Sequence, residues 1–268
     1  MTNGDETQQD KWSDLAARMA SGAAMVLIGA LGVFLGGHVF HVLVALICGM
    51  MIWELVGMLR PDANRGPLLL GGFSGVAVLA SVYLPVGFAL PLLLAPALFG
   101  FGQLDRNRTI FMSFTVMILL SGFGLMQVRD DMGVGWMLWL VLVVVVTDVV
   151  GYFAGRTFGG PKFWPRVSPK KTWSGTAAGW VAAAIVGLIF SFNTGVGLQL
   201  IGISVAVSMA SQMGDMAESG MKRKMGVKDS SNLIPGHGGL LDRFDGMLGA
   251  SVFLLIIGQF IGFPPGLG

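Results

Sequence analysis

The chain has 268 residues, of which 54% are hydrophobic and 12% are charged, and its formal net charge is +2. Ordinary soluble domains carry about 25% charged residues, so this composition excludes a typical soluble domain and favours a polytopic membrane protein. The small net charge argues against a nucleic-acid partner, and a single cysteine, Cys48, excludes both a disulfide framework and a thiolate metal site.

The predicted helices follow the chain as apolar stretches separated by Gly, Pro and charged residues. A helix needs about 18–20 apolar residues to cross the hydrocarbon core of a bilayer. Residues 1–20 carry charges of both signs and predict a cytoplasmic N-terminal tail, whereas residues 21–268 predict one integral membrane domain. The predicted fold is all-α, a polytopic membrane helix bundle of about nine transmembrane helices. The predicted spans are 21–36, 38–58, 67–84, 85–102, 109–126, 134–155, 175–191, 196–214 and 246–262.

The positions of Lys and Arg predict which loops face the cytoplasm, because short cytoplasmic loops carry the positive excess. If the N-terminus lies inside, only Arg129 of the 17 basic residues falls on the opposite face. We therefore expect a multi-pass protein of the inner (plasma) membrane with its charged segments facing the cytoplasm. Those basic segments are 1–20, 60–65, 106–108, 156–171 and 222–243.

Two carboxylates, Glu54 and Asp148, fall inside predicted spans, where an ionisable group is costly unless it meets a partner, water or an ion. Asp148 lies about two helical turns before Arg156. It either pairs with Arg156 at the end of the span or belongs to a functional site, and we favour the functional site. Glu54 lies about a turn and a half before Arg60, and for Glu54 we favour a structural role.

The segment from 156 to 176 is basic and contains Ser168, Lys170, Lys171 and Thr172 immediately before a predicted helix. Hydroxyl and ammonium groups beside the first amides of a helix favour phosphate binding. Lysines next to a membrane span are also common without any such role. The segment therefore stays a secondary candidate for contacting phosphate.

Carboxylates are concentrated in the segment from 215 to 245, which we call the signature segment. Asp215 and Glu218 are three residues apart, as are Asp242 and Asp245, so each pair shares one face of a helix. Oxygen ligands of this kind suit Mg²⁺, which usually retains water and substrate phosphate. A basic patch for anionic lipids would explain the lysines of this segment but not its acids.

Between the two acidic pairs lie cations and a glycine turn, and their order resembles a known family. The pattern is Ser219-x-Met221-Lys222-Arg223, four residues, Lys228-Asp229-x-Ser231, two residues, Ile234-Pro235-x-His237-Gly238-Gly239-Leu240-x-Asp242-Arg243-Phe244-Asp245. It resembles, without a gap, the signature of the phosphatidate cytidylyltransferases, also called CDP-diacylglycerol synthases. Upstream matches are Gly214-Asp215, Glu218-Ser219, Asp148 with Tyr152, and Ser168-Pro169-x-Lys171-Thr172, so the resemblance covers about 148–250. Val149, Val150 and Ser174 depart from the family pattern.

The resemblance implies that CTP and phosphatidate react to give CDP-diacylglycerol and pyrophosphate, with Mg²⁺ required and room for a second cation. It implies these catalytic residues: Asp215, Lys222, Arg223, Asp242 and Asp245. The implied metal ligands are Asp215, Asp242, Asp245 and Asp148. The implied substrate-binding residues are Ser168, Lys171, Thr172, Ser219, Lys228, His237, Gly238 and Gly239. The expected partners are the two substrates and the lipid bilayer, and a homo-oligomer is compatible with this assignment.

Two other functions remain open from the residues alone. A CTP-dependent lipid kinase acting on a polyprenol or phytol would use the same nucleotide but release CDP rather than pyrophosphate. An ion transporter would place carboxylates deep in several spans, whereas most acids here gather at one end of the predicted helices.

Overall fold

The computed structural model describes residues 3–61 and 66–264. Within this part of the chain the structure is almost entirely helical, with one small β-hairpin and a π-helical turn at Val128–Met132. The hairpin pairs strand β1, Lys162–Trp164, antiparallel to strand β2, Ser168–Thr172. The helices are α1 Asn3–Leu35, α2 Gly37–Leu59, α3 Gly66–Ser81, α4 Val86–Gln103, α5 Arg108–Gln127, α6 Val134–Phe158, α7 Trp173–Thr194, α8 Gln199–Met225 and α9 Leu241–Ile261.

The predicted helical membrane fold is confirmed, because each of the nine predicted spans falls on one of these helices. Within the described residues, seven helices are long and apolar enough to cross a membrane, and α3 and α4 are shorter apolar helices. Several boundaries differ from the prediction. Helix α1 begins at Asn3, so residues predicted as a tail are helical and continuous with the first span, and Arg65 lies outside the described residues.

Helix α8 also differs from the prediction at one end, since it ends at Met225 rather than at residue 214. The charged residues that follow 214 do not break a helix, and they continue it beyond the apolar stretch. Asp215, Glu218 and Lys222 therefore lie on helical turns, as their spacing predicted. Asp215 is consequently held on a helix rather than on a loop.

Glycines allow the helices that carry the site to approach each other closely. Where α8 crosses α9, a Cβ on Gly249 would lie 3.0 Å from the Cα of Gly214. Where α6 crosses α7, a Cβ on Gly151 would lie 3.1 Å from the carbonyl oxygen of Gly175. Small residues at such crossings let the backbones of membrane helices pack together. Both crossings lie beside acidic residues, because Gly214 precedes Asp215 and Gly151 is one turn beyond Asp148.

We expect Gly249→Ala to destabilise the protein, although alanine normally favours a helix by about 1 kcal/mol relative to glycine. The added methyl group meets the backbone of α8, and overpacking of this kind costs about 1–3 kcal/mol. The matched control is Gly202→Ala, because a Cβ at Gly202 on α8 meets nothing within 4 Å. Thermal unfolding in detergent should show a lower midpoint for Gly249→Ala only. Equal midpoints for the two variants would contradict the close crossing.

Candidate active site

A cavity of about 610 Å³ lies among α6, α7, α8 and the β-hairpin, and we call it the central cavity. Its lining brings together residues that are far apart in the sequence. Five of the predicted catalytic, metal-binding or substrate-binding residues lie here: Asp148, Ser168, Lys171, Thr172 and Asp215. Arg156, Lys162 and Lys170 add further positive charge to the lining. The structure therefore joins the basic segment at 156–176 to the first half of the signature segment.

Two carboxylates, Asp148 of α6 and Asp215 of α8, line this cavity, and a third, Asp245 of α9, lies near them without lining it. Asp215 of α8 forms an ion pair with Lys171 and accepts a hydrogen bond from the Ser219 hydroxyl at 3.2 Å. Asp245 of α9 lies within electrostatic range of Asp215, Asp148 and Lys171. The carboxyl groups at this site thus outnumber the one lysine that is paired with them. Carboxylate oxygens are the ligands that hard cations prefer.

The donor chemistry of these carboxylates fits a hydrated divalent ion. Within residues 3–61 and 66–264, no three His, Cys, Asp or Glu side chains are already placed as a closed metal-binding group. Mg²⁺ does not need such a group, because it usually keeps several waters and binds through one or two carboxylates together with substrate phosphates. Asp148, Asp215 and Asp245 supply hard oxygen donors of the type it prefers.

The second acidic residue expected beside Asp215, Asp242, belongs to a different ion-paired group. Lys222 Nζ lies 2.6 Å from Asp242 Oδ1 and 2.7 Å from Glu218 Oε2. The three side chains are 13%, 3% and 0% exposed for Lys222, Asp242 and Glu218 respectively. Asp215 pairs with Lys171 instead. In the structure the two carboxylates are thus paired with different lysines, Asp215 with Lys171 and Asp242 with Lys222.

Asp242 also organises the loop between α8 and α9, which we call the signature loop (226–240). Its Oδ2 atom accepts hydrogen bonds from the Ser230 amide at 2.9 Å, the Ser230 hydroxyl at 2.9 Å and the Gly239 amide at 2.8 Å. With Lys222 on Oδ1, both oxygens of Asp242 are engaged. The acceptor capacity of this carboxylate is thus used to fix the loop to the start of α9 and to the last turns of α8.

Glu54 of α2 holds the signature loop from the opposite side. Its carboxylate accepts hydrogen bonds from the Ser231 hydroxyl at 2.6 Å and from the amides of Leu240 and Leu241 at 2.9 and 2.8 Å. The first amides of a helix have no partner within that helix, and a carboxylate satisfies both their hydrogen-bonding needs and the helix dipole. The expected structural role of Glu54 is present, but its partner is the start of α9. Arg60 instead donates to the Gln103 carbonyl at 3.3 Å.

A second cavity, of about 520 Å³, lies on the signature loop, and we call it the loop cavity. It is lined by Lys228, His237 and Gly238, all predicted to contact substrate, and by two cations that the prediction omitted, Arg18 and Arg243. His237 is held by α1, because its Nδ1 atom lies 2.9 Å from the Ser21 hydroxyl. Helix α1 therefore takes part in shaping the loop. Nothing near Ser21 in the sequence marks this role.

The remaining predicted residues take different positions. The Thr172 hydroxyl caps α7 by accepting a hydrogen bond from the Gly175 amide at 3.2 Å, so it is already engaged although it borders the central cavity. The Gly239 amide donates to Asp242. Arg223 is exposed on α8 and, within the part of the chain described, lines neither cavity.

Comparison with known proteins extends the resemblance over nearly the whole chain. The sequence pattern of the cytidylyltransferase family matches residues 16–261. A phosphatidate cytidylyltransferase of Brucella abortus (strain 2308) is 37% identical over 220 residues, which are 79% of this chain and 73% of that protein. A phosphatidate cytidylyltransferase of Staphylococcus saprophyticus is 41% identical over 160 residues, 56% of this chain and 61% of that protein. The family match thus includes part of α1 and all of α2, beyond the 148–250 expected from the motifs.

Proposed function

The chain belongs to the cytidylyltransferase family, and from this we propose that it is a phosphatidate cytidylyltransferase of a bacterial inner membrane. It transfers the cytidylyl group of CTP to the phosphate of phosphatidate and releases pyrophosphate. The observation that carries the proposal is the central cavity, where carboxylates and cations meet at the charged ends of apolar helices. A water-soluble nucleotide and a lipid confined to the bilayer can meet at such a boundary. The cavity accordingly faces the cytoplasm, where CTP is available.

The reaction joins two anions, the lipid phosphate and CTP, which repel each other. The cations of the cavity reduce this repulsion. An oxygen of the lipid phosphate attacks the α-phosphorus of CTP, and the bond from that phosphorus to the β-phosphate bridging oxygen breaks. Lys171, with Lys170 and Arg156 on the cavity lining, holds phosphate oxygens. The phosphate of the lipid is largely ionised near neutral pH, so the chain need not supply a strong general base. The side chains therefore act by positioning the substrates and by neutralising their charge.

Mg²⁺ is the cofactor of this proposal, and one or two of the carboxylates Asp148, Asp215 and Asp245 would hold it together with substrate phosphates. When bound, it supplies charge neutralisation for the phosphates as pyrophosphate departs. Lys222 and Asp242, which the motif alone assigned to catalysis, are positioning residues here, because their contacts fix the signature loop. Lys228, His237 and Arg18 of the loop cavity contact the nucleotide outside the reacting phosphates.

The decisive experiment uses the full-length protein purified in detergent, with radiolabelled CTP, Mg²⁺ and phosphatidate in mixed micelles. We expect CDP-diacylglycerol and pyrophosphate in equal amounts, and no product after chelation of Mg²⁺ with EDTA. Polyprenol and phytol are tested in parallel as acceptors. Release of CDP with phosphorylation of those alcohols would replace the proposal by a lipid kinase. Cation flux in liposomes without CTP, with no pyrophosphate when CTP is added, would replace it by a transporter.

A further inference from the structure

A glutamine on α8 lines the central cavity below the carboxylates. Gln212 lies three residues before Asp215, on about the same face of the helix and about 4.5 Å further from its charged end. At that position the cavity passes from the charged boundary toward the apolar part of the bundle. A polar amide there is costly unless its hydrogen-bonding groups are satisfied.

The orientation of the Gln212 amide is fixed by a dedicated partner on α7. The indole Nε1 of Trp180 donates a hydrogen bond to Gln212 Oε1 at 2.9 Å. An indole nitrogen is only a donor, so the oxygen of the amide must face Trp180 and its NH₂ group must face away. One N–H donates to the Thr176 carbonyl at 3.3 Å. Among the described residues, the second N–H has no protein partner.

The residues around Gln212 leave space for its second N–H, and the Thr147 hydroxyl is not free to donate to a ligand in its place. A Cβ on Gly179 of α7 would lie 3.0 Å from Gln212 Nε2, so glycine at that position makes space for the amide. Thr147 also lines the cavity, but its hydroxyl is engaged with the Val143 carbonyl and with Ser208, each at 2.7 Å. A ligand group beside Gln212 therefore meets an oriented N–H donor.

The chemistry of the acceptor lipid supplies a matching acceptor at this place. A diacyl lipid with its phosphate at Asp215 and Lys171 carries its ester groups a few bonds further along the molecule, toward the acyl chains. Gln212 and Asp215 are separated by about 4.5 Å along the axis of α8, which is a comparable distance. We infer, on the basis of the proposed function, that Gln212 Nε2 donates a hydrogen bond to an ester carbonyl of the acceptor lipid. Gln212 thus selects diacyl ester lipids over diether lipids, which lack that carbonyl.

The test compares dioleoyl phosphatidate with its dialkyl ether analogue, each assayed with CTP and the full-length protein. For the unsubstituted protein we expect kcat/KM to be about 3- to 10-fold higher for the diester, as for one neutral hydrogen bond. Gln212→Leu should bring this ratio to about 1. Gln199→Leu, an exposed glutamine on the same helix, is the matched control and should keep the ratio.

Trp180→Phe is the second variant, because it keeps the amide but removes the donor that orients it. We expect Trp180→Phe to give a diester-to-diether ratio between that of the unsubstituted protein and 1. If Gln212→Leu fails to fold, the ratio of Trp180→Phe tests the inference in its place. An unchanged diester preference in Gln212→Leu overturns the inference. If Gln212→Leu is unfolded, an unchanged preference in Trp180→Phe overturns it. Equal use of both lipids by the unsubstituted protein also overturns it. A lack of CDP-lipid from either acceptor refutes the proposed function instead. A purely structural role for Gln212 would lower both rates and leave their ratio intact.

Discussion

Asp215→Asn is expected to lower the rate of cytidylyl transfer by about 1,000-fold or more, which is the scale of losing a main electrostatic contact in a phosphoryl-type reaction. Asparagine keeps the size of the side chain but removes the charge that pairs with Lys171 and that faces Asp148 and Asp245. The loss should appear in kcat with saturating CTP and Mg²⁺. Product formation from radiolabelled CTP measures it, and thermal unfolding in the same detergent checks that the variant is folded.

The matched control for this change is Asp105→Asn, because Asp105 is an exposed carboxylate in the connection between α4 and α5. Its removal subtracts one charge from the protein without touching the central cavity. We expect wild-type turnover for the control. Full turnover in Asp215→Asn would show that the carboxylate group of the cavity does not support the reaction, and the assignment of the site would have to be abandoned.

Lys222→Met should cause the largest loss of stability, because it leaves Glu218 and Asp242 side by side without their shared cation. Both carboxylates are almost fully buried. Removing one partner of a buried ion pair costs about 3–5 kcal/mol, since an uncompensated charge remains. The signature loop depends on Asp242, so the variant should lose both its thermal stability and its activity. Thermal unfolding and size-exclusion chromatography of the purified protein measure the first effect.

A second substitution separates the buried charge from other consequences of the change. In Lys222→Met/Glu218→Gln one of the two adjoining buried carboxyl groups is replaced by an amide, and we expect part of the lost stability to return. Lys224→Met is the control, because Lys224 is exposed on the same helix. If Lys222→Met unfolded at the same temperature as Lys224→Met, the triad of Glu218, Lys222 and Asp242 would not be a determinant of stability.

The helices could be predicted from the sequence because crossing a bilayer requires a long apolar stretch, and such a stretch is a local property. The end of α8 could not, since hydropathy stops at residue 214 while helical hydrogen bonding continues to Met225. Hydropathy detects the apolar part of a helix and does not detect a polar extension of the same helix. For the same reason the helical start of α1 at Asn3 was missed.

The candidate site was predicted in part, and the missing parts share a physical cause. Asp215 and Lys171 were identified from their motifs, and the structure places them in contact. The partners of Asp242 depend on how the signature loop folds back on α8, which residue spacing does not encode. Ser21 and Glu54 lie far from the loop in sequence and carry no local pattern. For Glu54 the sequence offered one signal, because a carboxylate buried in an apolar span needs hydrogen-bond donors.

The hydrogen bonds of Glu54 to the first amides of α9 have a consequence for how the chain can vary. They tie an early helix to the loop that carries the site, because Glu54 of α2 accepts from the amides at the start of α9. We therefore expect a C-terminal half without α2 to lack a partner for these amides. Amino-acid changes near its beginning can alter turnover without approaching the nucleotide, and exchange of N-terminal regions between homologues would have to preserve this remote coupling.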